Sequence, residues 1–144
     1  MNYLIYSVED DKNISHLINV ALSKQEYVVE SFYDGESFLR RFNEQKPNLI
    51  LLDMMLPNIQ GGEILKAIRD NEENDDIQII IVSANRMVMD KVDGLDLGAD
   101  DYIEKPFDIL ELMSRVNSKA RRFFKKQRIF RGNLILDIKK HEFY

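Results

Sequence analysis

Asn48-Leu-Ile-Leu-Leu-Asp53-Met-Met-Leu-Pro57 carries four consecutive apolar residues that run straight into a carboxylate and, soon after, a proline. An apolar run with no polar residue at either parity reads as a strand covered on both faces, as strands of parallel sheets are. Asp53 then stands where the strand breaks into a loop. Chemistry on such sheets gathers at the carboxyl ends of the strands, so Asp53 reads as a reactive carboxylate.

Three further strand-like runs end on chemically useful residues. Tyr3-Leu-Ile-Tyr-Ser-Val8 is followed at once by Glu9-Asp10-Asp11, Ile77 to Ser83 ends on a hydroxyl, and Asp101-Tyr-Ile-Glu-Lys105 ends on a cation before Pro106. Tyr27 to Phe32 supplies one more strand. Helical spacing fills the intervals: Ile14, Leu17, Ile18 and Leu22, with Asp11 or Asn13 as cap; Phe38, Leu39 and Phe42 after Gly35, closed by Pro47; Ile64, Leu65 and Ile68 after Gly61-Gly62. Met87 to Leu97 is more weakly periodic and contains Gly94. A last helix from about Asp108 is expected to turn Leu110, Leu112, Met113 and Val116 inward. Five βα units in one direction imply an α/β, flavodoxin-like, doubly wound five-stranded parallel sheet of order 2-1-3-4-5 with five helices. Its switch point lies between strands 1 and 3, where Glu9-Asp10 and Asp53 would face each other.

A length of 144 residues with 44% apolar content is enough for one ordinary core. The absence of cysteine excludes disulfides and zinc sites built on thiolates. No apolar run is long enough to span a bilayer and no signal-peptide pattern opens the chain, so the cytoplasm is the expected location. Charge is unevenly placed. Residues 1–118 hold 11 basic and 23 acidic side chains, a balance of -12, whereas 119–144 hold 9 and 2, a balance of +7, which together return the formal -5. Such a tail either faces nucleic acid or forms a solvated basic linker beside an acidic domain.

The pattern changes after Lys125. Ile129-Phe-Arg, Leu134-Ile-Leu and His141-Glu-Phe-Tyr144 are short apolar pieces divided by Gly132-Asn133 and by Asp137 to Lys140, a spacing expected of an antiparallel β extension. The expected organisation is a main domain over 1–122, a basic linker over 123–128, and the first strands of an incomplete second domain over 129–144.

Glu9-Asp10, Asp53 with Pro57 and Gly61, Ser83-Ala84, Tyr102 and Lys105-Pro106-Phe107 together resemble the receiver domain of two-component response regulators. Gly98-Ala-Asp-Asp-Tyr-Ile-Glu-Lys-Pro-Phe107 is similar to the OmpR/PhoB branch, whose second domain is a winged-helix DNA-binding unit introduced by a small antiparallel sheet. Tyr6 and Ser7 depart from a first strand that is usually more aliphatic, and a proline often found before the fourth strand is missing near Asp76-Ile77.

The resemblance implies that Asp53 accepts a phosphoryl group from a sensor histidine kinase. It implies Mg²⁺ held by Glu9, Asp10, Asp53 and the backbone carbonyl of Met55, with Ser83 and Lys105 binding the phosphoryl oxygens and Tyr102 moving with Ser83. It also implies a homodimer through the fourth helix, fifth strand and fifth helix, using Lys91, Asp96, Asp100, Asp101, Glu111, Arg115 and Arg122. Full-length relatives would reach DNA through the effector domain, without a membrane partner. A regulator that dimerises independently of phosphorylation is the alternative. An aspartyl-phosphate phosphohydrolase expects a second acid just after the nucleophile, and here Met54-Met55 follows.

Overall fold

The computed structural model describes residues 2–84 and 98–135, with side chains as far as Arg128. In chain order the elements are β1 (Leu4–Val8), α1 (Lys12–Ser23), β2 (Val28–Phe32), α2 (Gly35–Glu44), β3 (Leu49–Leu52), α3 (Gly61–Arg69), a 3-10 turn (Glu72–Asn74), β4 (Gln78–Ala84), β5 (Asp101–Lys105) and α4 (Ile109–Ile135). The helix expected over Met87–Leu97 lies outside the described residues, so the helix expected fifth is α4 here.

All five strands join one sheet in the order β2-β1-β3-β4-β5, and every pairing is parallel. This is the flavodoxin-like fold. The order reverses between β1 and β3, because the crossover through α1 leads one way along the sheet and the crossover through α2 leads back. Right-handed crossovers in opposite directions put α1 and α2 on opposite faces. Side-chain alternation agrees: Leu4, Tyr6 and Val8 share one buried cluster with Phe38, Phe42, Ile64, Leu65 and Ile68 of α2 and α3. Ile5 and Ser7, at the other parity, are also fully buried. β3 is buried at each of its four positions, as a run without alternation requires.

Local chemistry sets the boundaries. Asp11 is the α1 cap, its carboxylate accepting from the amides of Asn13 (2.9 Å) and Ile14 (3.2 Å). Asp34 caps α2 through the Ser37 amide at 2.7 Å. The unusual Tyr6 of β1 is accommodated fully buried, its ring edge-on to Phe32 and Phe38 and its hydroxyl donating to the Gln45 carbonyl at 2.6 Å. That bond satisfies a polar atom the core could not otherwise hold.

The chain divides at Ile109/Leu110 into two compact units. On α4, Leu112, Val116 and Ala120 are buried at four-residue spacing. Leu110, expected inward, is 69% exposed, because it sits about 200° around the helix from Leu112. A second correction concerns the basic linker and the antiparallel extension: 123–128 and 129–135 are helical, continuous with α4, rather than a linker followed by strands. A strand needs a neighbour for its backbone groups, whereas a helix satisfies them internally, and among the described residues no strand lies beside this segment. Residues 136–144, including the expected piece at His141–Tyr144, lie outside the described residues.

Candidate functional site

β1 and β3 are neighbours at the switch point, and each hands its next residue to the same crevice. Val8 pairs with Leu52, so Glu9 and Asp53 leave the sheet side by side. The Glu9 amide donates to Phe32 O (2.9 Å) and the Asp53 amide to Val8 O (3.1 Å), which extends the ladder by one step before the chain turns away. Both carboxylates are buried, Glu9 at 3% and Asp53 at 4% exposure, while Asp10 is exposed. One carboxylate oxygen from each of Glu9, Asp10 and Asp53 lies within 4.8 Å of the others.

Each buried carboxylate is held on one oxygen by backbone. Asp53 Oδ1 accepts from the Met55 amide at 2.9 Å, and Glu9 Oε2 accepts from the Asp11 amide at 3.0 Å. The remaining oxygens meet one cation. Lys105 Nζ lies 2.6 Å from Glu9 Oε1 and 3.2 Å from Asp53 Oδ2. Lys105 is the last residue of β5, paired with Ala84, and the Lys105–Pro106 peptide is cis.

These contacts shift the ionisation of both partners. Burial raises the Glu9 carboxyl to about 7, with the charge of Asp53 adding to the effect and the bonds from Lys105 and the Asp11 amide pulling against it. Burial opposes the charge on Lys105, but the hydrogen bond to Glu9 and the two carboxylate charges outweigh it and raise its pKa.

Close backbone approach shapes the loop behind Asp53. A Cβ on Gly61 would stand 2.5 Å from Asp53 O and 2.6 Å from Met54 Cα, so only glycine fits. Gly61 N donates to Met54 O at 3.1 Å, fixing the loop through Pro57 against the start of α3. On β4, Ser83 is completely buried and its hydroxyl has no hydrogen-bond partner among the described residues. Tyr102 on β5 is turned inward at 7% exposure, its hydroxyl 3.5 Å from Ala84 O.

The expected site residues therefore converge in part. Glu9, Asp10, Asp53 and Lys105 form one cluster; Ser83 lies near the carboxyl end of β4, whereas Tyr102 is the second residue of β5, paired with Ile81. Of the dimer-face residues, Lys91 and Asp96 lie outside the described residues. Glu111 and Arg115 pair with each other on α4 at 3.0 Å. Asp100 is committed within its own domain: its Oδ2 accepts from Arg69 at 2.9 Å and from the Ile79 amide at 2.8 Å. Sequence reasoning missed that clamp, in which Arg69 also donates to the carbonyls of Gly98, Asn74 and Ile77 at 2.7–2.8 Å. It also missed Lys105 as a bridge between carboxylates.

The family model of the response regulator receiver domain matches residues 5–117. The chain belongs to the response regulator receiver family. This receiver is similar to the response regulator ArlR of Staphylococcus saprophyticus, 44% identical over 133 residues that cover 92% of this chain and 59% of the relative. The chain thus spans 59% of that relative's length. Among solved structures, the receiver resembles the BeF3-activated DrrB receiver domain, with a TM-score of 0.75 and 32% identity over 84% of this chain and 99% of that one. It also resembles DrrB of Thermotoga maritima, described as an OmpR/PhoB homolog, with a TM-score of 0.73 and 32% identity over 88% of this chain and 54% of that one. Among the described residues no helix is long and apolar enough to cross a membrane.

Proposed function

We propose that Asp53 is the phosphoacceptor of a two-component pathway, and that its modification by a sensor histidine kinase switches this receiver between two states. The observation that carries the reading is the cluster itself: a buried carboxylate at the end of β3, flanked by Glu9 and Asp10 and touched by Lys105. A carboxylate oxygen of Asp53 attacks the phosphorus of a phosphohistidine, the P–N bond breaks, and the electron pair and a proton go to the leaving imidazole. The product is an acyl phosphate.

The donor set fits a hard divalent cation. It consists of three carboxylates, with the Met55 carbonyl proposed as a further oxygen ligand, and all-oxygen sites of this kind suit Mg²⁺. When bound, such an ion neutralises the charge that would otherwise repel a phosphoryl donor. The chain's own groups do the rest. Glu9 and Asp53 are oriented by the amides of Asp11 and Met55, and Lys105 is within reach of the oxygens that Asp53 would present. Ser83 offers a hydroxyl with no other bond among the described residues, and in this reading Tyr102 moves with it.

In this reading the altered state dimerises through the fourth expected helix, β5 and the last helix, bringing together two effector domains that lie beyond the receiver in longer relatives and act on transcription. An effector domain beyond the receiver belongs to the same reading, without the strands expected over 129–135, which are helical. Acetyl phosphate with Mg²⁺ should add one phosphoryl group, located by mass spectrometry at Asp53 and absent from Asp53→Ala. Beryllofluoride should shift the population towards dimers in light scattering. A dimer equally populated with and without the mimic, and unaffected by Asp53→Ala, would favour a regulator that acts independently of phosphorylation.

A further inference from the structure

The charge asymmetry of the sequence takes a definite shape on α4. Residues 119–131 contain seven basic side chains and no acid. Arg121, Arg122, Lys125, Lys126 and Arg128 are all exposed, while Ala120 is buried and Phe123, Phe124 and Gln127 are half-buried. At about 100° per residue, the exposed cations occupy a continuous arc of roughly 160°, and the half-buried residues occupy the opposite side. Arg121, Arg122, Lys125 and Lys126 have no acidic partner among the described residues. Several cations elsewhere are paired with acids: Arg41 with Glu30, Lys66 with Asp70, Arg69 with Asp100, and Lys105 with Glu9 and Asp53.

Four uncompensated cations on one turn-and-a-half of helix repel one another, a cost that a polyanion removes. We propose that this face of α4 binds the phosphate backbone of duplex nucleic acid without regard to sequence. A duplex presents one charge per about 1.7 Å of axis, and α4 raises its cations over a comparable length at about 1.5 Å per residue. A lipid surface fits less well. Membrane-surface helices expose an apolar face beside their cations, and here Phe123 and Phe124 lie edge to face with ring centres 5.3 Å apart and are half-buried. The acidic balance of residues 1–118 keeps the contact local to this face and makes it weak at physiological salt.

This face shares Arg122 with the expected dimer surface, but its other cations, Arg121, Lys125 and Lys126, belong to neither that surface nor the Asp53 cluster. The proposed contact also differs from specific recognition, for which no groove-reading element is present among the described residues. The test is fluorescence anisotropy of the 144-residue chain with labelled duplexes of two unrelated sequences across a salt series. Four phosphate contacts give a log–log slope of about -3.6, so affinity should fall about a hundredfold between 50 and 200 mM salt, equally for both sequences. Arg121→Gln/Lys125→Gln/Lys126→Gln, which leaves Arg122 of the expected dimer face in place, should keep its helical circular dichroism, lose most of the binding and still respond to beryllofluoride. The proposal fails if the parent chain shows no salt-dependent binding at 50 mM, or if the threefold variant binds equally well. Tighter binding to phosphatidylserine vesicles than to duplex, or a salt-sensitive self-association abolished by the same variant, would also overturn it in favour of a lipid or a second copy.

Discussion

Replacing Ser83 by alanine is expected to stabilise the resting protein and weaken its response to a phosphoryl mimic at the same time. The Ser83 hydroxyl is fully buried with no partner among the described residues, a condition that costs about 1–3 kcal/mol in proteins. Alanine removes that cost and leaves a gap the size of one oxygen, which returns a few tenths of a kcal/mol in lost packing. The net gain should be about 1 kcal/mol, or about 3 °C in melting temperature for a chain of this size. In the modified state the same hydroxyl would donate to a charged oxygen, a bond of about 1.5–3 kcal/mol, so beryllofluoride binding should weaken by about ten- to a hundredfold. Thermal melts with and without the mimic read both effects. Ser7 is the control: it too is buried and unpartnered, but it points to the α1 side of β1. Ser7→Ala should share the stabilisation and leave the mimic affinity alone. A lower melting temperature for resting Ser83→Ala, or unchanged mimic binding, would refute the reasoning.

Three other perturbations follow from the same geometry. Lys105→Met removes the cation that bridges Glu9 and Asp53, a pair of contacts worth several kcal/mol at an effective dielectric of about 20, so Mg²⁺ should bind at least about tenfold more tightly. Calorimetry is the suitable readout, since the chain has no tryptophan. Glu9 titrates at about 7 in the fold against 4.5 ordinarily, so its ionised form is a cost that is absent below about pH 4.5 and complete above about pH 7. In chelator, wild type should therefore lose up to about 3 kcal/mol relative to Glu9→Gln as pH rises through that window, with Mg²⁺ affinity rising over the same range. Gly61→Ala drives a Cβ to 2.5 Å from Asp53 O and should cost about 2 kcal/mol or more in denaturant melts, whereas Gly62→Ala meets only Met54 Cε at 3.5 Å and should be tolerated.

The core of this receiver was legible because its signals are local and redundant. Apolar runs without alternation marked β3 and β4 as central, and the acid, hydroxyl or ammonium after each strand marked the reactive end. Partners that depend on tertiary proximity were not legible. Nothing in Lys105's neighbourhood along the chain indicates that its resting partner is Glu9, 96 positions away. Asp100 stands in a run of acids that suggests a surface charge, yet Arg69 and the Ile79 amide hold it in place. Short apolar pieces such as Ile129-Phe-Arg are ambiguous between strand and helix by periodicity, and here the helix prevails without a neighbouring strand.

The bridge made by Lys105 also bears on how the proposed switch is poised. Glu9, Asp10 and Asp53 ionised carry three negative charges, and Lys105 leaves two uncompensated, the amount one divalent ion supplies. Such an ion, if held by these carboxylates, would take over the neutralisation of Glu9 and release Lys105 from its shortest contact. A phosphoryl group on Asp53 would then replace one charge by about two, with Lys105 Nζ already 3.2 Å from Asp53 Oδ2. The lysine's free energy in the modified state is thus a difference between two occupied geometries, not the gain of an idle side chain. Lys105→Arg should separate these roles. Its charge survives, but a planar fork cannot reproduce one ammonium that sits 2.6 Å from Glu9 and 3.2 Å from Asp53. Phosphorylation of Asp53 should therefore persist in Lys105→Arg while mimic-dependent dimerisation falls, and a variant that dimerises like wild type would show that charge alone suffices.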